Sequence, residues 1–239
     1  MRKKISLKIQ RQPDNTTCGP TCLHSVYHFW DDPIELHQVI KEVQQFEKGG
    51  GTLAVILANH ALARGYSATI YTYNLNIFDP SWRELPSIEI AALLQKQLDQ
   101  NTCDDKFIQA SNAYIHYLKN GGEIKLFAEM KAELIQSLLM NDFPVLTGLS
   151  STYLYLSQRE IPETTEYDAI KGKPGGHFVV LCGFDAIKNQ VIVADPYLPN
   201  PFANQHYYSV PMDRLIAAIL LGVVTYNGNL LIIAPKDKK

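Results

Sequence analysis

Two residues of this chain, a cysteine and a histidine far apart in the sequence, have types and settings suited to nucleophilic chemistry. Cys18 comes directly before Gly19 and Pro20, where a helix is expected to begin, and His177 opens an apolar run typical of a strand. A thiol attacks an acyl carbon as the thiolate, and a neighbouring imidazole can hold the proton and pass it to the leaving amine. The pair therefore predicts a thiol enzyme that acts on an amide or a related acyl bond.

Two further polar residues could complete such a site. Asp195 follows His177 in the run Val-Ala-Asp-Pro, and an acidic side chain can orient a catalytic imidazole. Gln12 precedes Cys18, and its uncharged amide can donate to a developing oxyanion, together with the backbone N–H of Cys18. The start of a helix also favours the negative charge of a thiolate. The predicted catalytic residues are therefore Cys18, His177, Asp195 and Gln12.

These side chains have to be positioned by a helix behind Cys18 and by a sheet that carries the histidine and the acid. The sequence predicts a helix over 20–30, because Pro20 suits the first turn, where its missing N–H costs nothing. Strands are expected at 177–184, 190–194 and 205–210. If the first two strands are adjacent and antiparallel, His177 and Asp195 reach the same end of the sheet.

The remaining pattern places most of the helices before the last strands. Further helices are expected at about 34–46, 53–64, 88–99, 104–119, 124–140 and 211–221, and further strands at 1–11, 66–73, 143–149, 223–226 and 230–234. The long polar segment 150–174, rich in Tyr and Glu, is expected to be a loop that could gate the site. Helices followed by an antiparallel sheet indicate the α+β class.

The four predicted residues lie in motifs that resemble those of the C39-like cysteine peptidases of the papain-like superfamily. The motifs are Gln12, Cys18-Gly19-Pro20-Thr21-Cys22-Leu23, Gly176-His177-Phe178-Val179-Val180-Leu181 and Val193-Ala194-Asp195-Pro196. The resemblance implies a papain-like fold in which a helical lobe packs on an antiparallel sheet. It also implies Cys18 as the nucleophile, His177 as the base and Asp195 as the residue that orients the base. Gln12 would stand at the oxyanion hole, and no cofactor is needed.

The same resemblance indicates one C39-like domain over 1–239, with a mostly helical insertion around 66–145 that the motifs do not cover. The run after the cysteine departs from the Cys-Gly-Ser-Cys-Trp of papain itself, so the likeness to papain is one of fold. The best-known members of the family cut double-glycine leader peptides and are fused to ABC transporters. This chain shows neither membrane spans nor an ATPase, so that substrate does not carry over. The expected substrate is a peptide or protein.

Composition disfavours several other classes of function. The chain has 239 residues, of which 46% are hydrophobic, enough for a substantial core. Its formal net charge of -2 argues against nucleic-acid binding, and no apolar run reaches the roughly 18 residues of a membrane span. The start lacks the apolar stretch of a secretory signal, and four cysteines, at 18, 22, 103 and 182, are too few for a disulfide framework. A cytoplasmic location is therefore expected, although export without a cleaved signal would look the same.

A zinc site is an alternative use of the region around the cysteine. The possible ligands are Cys18, Cys22, His24 and His28. On a helix with about 3.6 residues per turn, the two cysteines share one face and the two histidines share another. Four ligands on two faces of one helix converge poorly on a tetrahedron, so the sequence disfavours zinc.

Other interpretations of the same residues stay open. Cys18 and His177 could be packing residues, and Asp195 before Pro196 could simply begin a turn. A deamidase or a transglutaminase-type enzyme acting on Gln side chains would use the same four residues. A catalytically inactive peptide-binding module would keep the fold without the activity. Thiol reactivity separates the last from the enzymes, and the reaction products separate the enzymes from one another.

Overall fold

The computed structural model describes residues 1–45, 51–100, 105–162, 164 and 166–238. Within these ranges, helices surround one extended sheet, which confirms the α+β class. Cys103 lies outside the described residues. In the described part of the chain, none of the helices has the length and apolar character needed to cross a membrane.

Along the described part of the chain, three helices follow the first strand, and three strands near the end follow one another directly. The described α-helices are α1 (Cys18–Phe29), α2 (Leu36–Glu42), α3 (Ala54–Ala63), α4 (Ser87–Gln100), α5 (Asp105–Lys119), α6 (Ala132–Met140), α7 (Ser151–Tyr155) and α8 (Met212–Leu221). The described strands are β1 (Arg2–Lys4), β2 (Ser67–Thr72), β3 (Glu123–Leu126), β4 (Val145–Ser150), β5 (Gly176–Asp185), β6 (Gln190–Ala194), β7 (Tyr207–Pro211) and β8 (Asn229–Ala234). Short 3-10 helices lie at Pro80–Trp82, Gly222–Thr225 and Lys236–Lys238.

The strands form one sheet in the order β3-β2-β8-β4-β5-β6-β7, and β1 pairs with the end of β5. Neighbouring strands are antiparallel, except that β2 and β3 are parallel. Val180 on β5 lies opposite Ala194 on β6. Continuing that register places Asp195 opposite Val179, two residues from His177. The two residues are thus diagonal neighbours, within reach of long side chains.

Both faces of the sheet are covered by helices. Buried residues of α1 to α5 pack against one face, and buried residues of α6 to α8 pack against the other. Strand β5 shows the division, because Phe178 and Val180 belong to the first core and Val179 and Leu181 to the second. A strand that is buried on both faces has to be apolar throughout, which explains the unbroken hydrophobic run after His177.

The expected single helix over 124–140 is wrong for its first part. Glu123–Leu126 is the strand β3, and α6 begins only at Ala132. The chain leaves α5 through Gly121, whose φ of 84° is costly for other residues, and then runs parallel to β2. The alternating Glu-Ile-Lys-Leu run suits this sheet edge, so pairing with β2 overrides its helical propensity.

Two other expected strands differ from the structure. The run 223–226 falls largely in a 3-10 helix that continues directly from α8, and positive φ values at Tyr226 and Gly228 then turn the chain into β8. The β-branched residues of this run favour a strand. The chain between α8 and β8 is instead taken up by the 3-10 helix and the turn, so these residues are not extended. The expected strand 1–11 is shortened to Arg2–Lys4, although Ile5 and several later apolar residues are still buried.

The segment 66–145 supplies both sheet strands and helices. It contains β2 and β3 at one end of the sheet and α4 to α6 on its two faces. The expectation that this segment is an insertion in a single C39-like domain stays a prediction.

Candidate active site

The structure brings His177 and Asp195 into direct contact at one end of the sheet. Nε2 of His177 lies 2.8 Å from Oδ1 of Asp195, and both side chains are buried. The contact follows from the pairing of β5 with β6, which makes the two residues diagonal neighbours. Because Nε2 faces the carboxylate, Nδ1 is the ring nitrogen that can serve another group.

The Asp195 carboxylate accepts hydrogen bonds on both oxygens. Oδ1 also accepts from the backbone N–H of Tyr197 at 2.9 Å, and Oδ2 accepts from the hydroxyls of Tyr155 at 2.7 Å and Tyr208 at 2.6 Å. Burial alone would raise the pKa of Asp195, but His177 and the two phenols hold that pKa below its usual value. The carboxylate is therefore kept ionised and fixed in orientation.

His177 is held in its protonated form by this environment. Burial by itself lowers the pKa of His177, but the charge and hydrogen bond of Asp195 outweigh that effect. The neighbouring Cys18 side chain raises the pKa of His177 further, and together these effects bring it to about 10. An imidazolium beside a thiol stabilises the thiolate, which is the reactive form of cysteine.

Cys18 is the first residue of α1, and only 9% of its surface is exposed. Pro20 occupies the first turn, where no backbone donor is lost. Gly19 makes a close approach possible, because a Cβ at this position would lie 2.6 Å from the methyl carbon of Thr52. The helix start can therefore sit tightly against Thr52 on the cleft wall.

Gln12 lies beside Asp195 and Pro196, the two residues that follow β6. Its backbone N–H donates to the carbonyl of Pro196 at 2.9 Å, which ties the segment before α1 to Asp195. Its side-chain Nε2 donates to the carbonyl of Asp14 at 2.7 Å, and its Oε1 has no hydrogen-bond partner among the described residues. A primary amide has two N–H donors, so one is left for another acceptor.

A cleft of about 530 Å³ opens over these residues. Gln12, Cys18 and His177 line it, with Asp195 buried behind the histidine. Its other walls come from the segment around Thr52, the segment 151–176 and the turn before β8, and Lys106 of α5 and Tyr197 also line it. A peptide segment that enters the cleft would meet the sulfur and the imidazole together.

The segment 150–174 is more ordered than the simple loop expected from its polarity. It begins with α7, and Glu160 forms isolated bridges with both Tyr167 and Lys173. These three residues contribute to the cleft wall. A role for the segment as a lid stays a prediction.

The alternative zinc ligands do not form a metal site. In the described part of the chain, no group of three or more His, Cys, Asp or Glu residues is arranged to hold a metal ion. The Cys22 thiol is fully buried and donates to the carbonyl of Phe178 at 3.3 Å. The rings of His24 and His28 pack on each other, with centroids 4.3 Å apart.

Tyr155 and Tyr208 were not assigned a role from the sequence, although they hold one oxygen of Asp195. A signal for Tyr208 exists, because it alternates with Val210 on β7 and both belong to the second core. No comparable signal marks Tyr155, which reaches the carboxylate only through the packing of α7.

Comparison with known proteins identifies a family whose model matches most of this chain. The model of the Peptidase_C39 like family matches residues 4–218. A C39-like peptidase structure from Bacillus anthracis aligns at 12% identity over 96% of each chain, with a TM-score of 0.51. At such identity, the similarity concerns the fold. The comparison with curated proteins gives no match.

Two further solved structures align over nearly the whole chain with a TM-score of 0.46. One is a double-glycine-motif protease from an AMS/PCAT transporter in complex with the leader peptide, at 14% identity over 98% of this chain and 95% of that chain. The other is the peptidase domain of Streptococcus ComA, a bifunctional ABC transporter, at 15% identity over 96% of this chain and 99% of that chain.

Proposed function

This chain belongs to the Peptidase_C39 like family, and from that premise we propose that it is a cysteine peptidase that cuts a peptide or isopeptide bond. Cys18 is the nucleophile, His177 the base and Asp195 the residue that orients the base. The observation that carries the proposal is the position of His177, which bonds Asp195 through Nε2 and lines the same cleft as Cys18. A buried imidazolium beside a thiol at a helix start has the electrostatics of an activated nucleophile.

In the first half of the reaction, the Cys18 thiolate attacks the carbonyl carbon and forms a C–S bond. The C–N bond then breaks, and the proton on Nδ1 of His177 moves to the leaving amine. In the second half, His177 takes a proton from water as the water attacks the acyl-enzyme. The acid product leaves, and the thiolate and imidazolium are restored.

The oxyanion that forms in each half needs donors. The free N–H of the Gln12 amide and the backbone N–H of Cys18 are assigned this role. Gln12 suits it because its Nε2 uses one donor on Asp14 and its backbone is fixed to Pro196. Such donors typically contribute about 10²–10³ in rate.

A peptide is the proposed substrate class. The cleft is large enough for several side chains, and one structural neighbour holds a leader peptide. Peptidase activity releases a new amino and a new carboxyl end. A deamidase would release ammonia instead, and a transferase would require an added amine, so product analysis by mass spectrometry separates the three reactions.

The testing experiment is the pH dependence of Cys18 alkylation, read by tandem mass spectrometry in the wild type and in His177→Ala. Rapid labelling below pH 7 that is lost in the variant is expected. Labelling in both proteins with the pKa of an ordinary thiol, about 8.5, would contradict the proposal. Cys22 and Cys182 serve as internal references, because burial raises the pKa of both thiols.

A further inference from the structure

Glu160 occupies a fixed place on the wall of the cleft. Its backbone exchanges two hydrogen bonds with Lys173, at 3.1 and 2.8 Å, which hold this part of the segment before β5. Its Oε2 lies 4.0 Å from the position that a Cβ would take at Gly175. Gly175 is two residues before His177, so the carboxylate lies close to the proposed catalytic base.

The Glu160 side chain forms no ion pair in the part of the chain that the structure describes, because the nearby His177 is paired with Asp195. Among the described residues, the carboxylate makes neither a hydrogen bond nor an ion pair, although Glu160 is half-buried. Lys173 lies opposite in the bridge but makes no ion pair with it there. Burial raises the pKa of Glu160, and the charge of His177 opposes that rise. A half-buried carboxylate with no ion pair of its own is costly, and a cation bound beside it in the cleft would relieve that cost.

Aromatic rings line the same cleft. Tyr167 lies directly opposite Glu160 in a second bridge, and Tyr155 and Tyr197 also belong to the cleft lining. Cations bind favourably over aromatic faces. A carboxylate together with phenol rings therefore fits an ammonium or guanidinium group on an apolar stem.

We propose that Glu160 is a specificity-determining residue that binds a cationic group of the peptide substrate beside the scissile bond. The group is the side chain of Lys or Arg, or the amino terminus of the peptide. This inference rests on the proposed peptidase function, since it concerns the substrate of the same cleft. Neither the predicted catalytic set nor the family match assigns this residue a role.

The test compares cleavage of short peptide pools in which one position at a time is cationic (Lys or Arg), neutral (Gln or norleucine) or acidic (Asp or Glu). A charge-assisted hydrogen bond predicts that wild-type protein prefers the cationic pool by about tenfold or more in kcat/KM. Glu160→Gln should cleave the cationic and neutral pools with similar kcat/KM. Glu160→Lys should have its highest kcat/KM on the pools with Asp or Glu. The exposed Glu166, in the same segment, supplies the matched control Glu166→Gln, which should keep the wild-type preference.

Two arms identify the source of the cation. Each pool is tested with a free and with an acetylated amino terminus. A preference that survives acetylation and depends on Lys or Arg assigns the site to a side chain. A preference that disappears on acetylation assigns it to the amino terminus. An unchanged ratio between cationic and neutral pools in Glu160→Gln would overturn the proposal.

Binding measurements separate this inference from the proposed chemistry. The same labelled pools are bound to Cys18→Ala, with and without Glu160→Gln, by fluorescence anisotropy. Weaker binding of only the cationic pools in the double variant supports the role of Glu160 even if no pool is cleaved. Equal binding by the two variants overturns it. Failure of the catalytic proposal would appear instead as slow alkylation of Cys18 at low pH.

Discussion

The hydroxyl of Tyr155 donates to Oδ2 of Asp195 at 2.7 Å and so connects the segment over the cleft to the acid that holds His177. Tyr155 is the last residue of α7, and the chain continues from it to Glu160 on the cleft wall. Its ring also packs edge-on against Phe202. Tyr155 thus links the position of this segment to one oxygen of the carboxylate, which His177, Tyr208 and the backbone of Tyr197 also hold.

Replacing Tyr155 by Phe should destabilise the protein most at neutral pH. A hydrogen bond to a charged group contributes roughly 1.5–3 kcal/mol, so the free energy of unfolding of Tyr155→Phe should fall by about that amount at pH 7. The depressed pKa of Asp195 stabilises the fold above the unfolded pKa of about 3.9, and this contribution is lost as pH falls. The deficit of the variant should therefore shrink in acid, as measured by urea unfolding across pH. Tyr153→Phe, on the exposed part of the same helix, should show no such deficit.

Replacing Gln12 by Ala should slow catalysis without unfolding the protein. Loss of one oxyanion donor typically lowers kcat by about 10²–10³, and the alkylation profile of Cys18 should be unchanged because the ion pair is intact. The measurement is the rate of cleavage of a responsive peptide together with the pH profile of alkylation. Gln12→Glu removes the amide donor at similar size and should be equally slow. A variant that cleaves at the wild-type rate would remove Gln12 from the oxyanion hole.

The candidate catalytic residues could be predicted from the sequence because they lie in strong local patterns. Cys18 begins a helix that Pro20 marks, and His177 begins a strand whose apolar run reflects burial on both faces. The contact of His177 with Asp195 depends on the pairing of β5 with β6, which a short turn makes predictable. The structure brings His177 and Asp195 together, while the catalytic roles remain proposals.

Other features depend on contacts between distant segments and leave little trace in a local pattern. β3 forms because the edge of β2 is available, although the same residues fit a helix. Tyr155 reaches Asp195 across forty positions in the chain, through the packing of α7 on the second core. Glu160 faces the cleft because its backbone is bonded to Lys173. Predicting such features requires the tertiary structure.

Adding a methyl group at Gly19 should disturb the start of α1. The new Cβ would lie 2.6 Å from the methyl of Thr52 and 3.2 Å from the ring of Phe178. Overpacking of this kind costs about 1–3 kcal/mol, and it should displace Cys18 from His177. Gly19→Ala is expected to lower both the free energy of unfolding and the alkylation rate at low pH. The added change Thr52→Ser removes the opposing methyl but keeps the hydroxyl, which bonds the carbonyl of Gln44, and should restore much of both losses.

Acid should weaken the fold through His24, which lies on the same helix as Cys18. His24 is 3% exposed, and neither ring nitrogen has a hydrogen-bond partner among the described residues. Burial, followed by the charge of His28, lowers the pKa of His24, while Glu35 opposes this. A lowered folded pKa means that the unfolded chain binds the proton more readily. Stability from this group is therefore present above the unfolded pKa of about 6.5 and is lost as pH falls towards the folded pKa.

The measurement for His24 is the free energy of urea unfolding between neutral and mildly acidic pH. The wild type should lose up to about 1.4 kcal/mol per pH unit below pH 6.5 from this one group. His24→Leu removes the titration and should flatten that part of the profile. His116→Gln, on the exposed face of α5, is the matched control and should keep the wild-type slope. Equal slopes in all three proteins would show that the neutral form of His24 is not what stabilises α1.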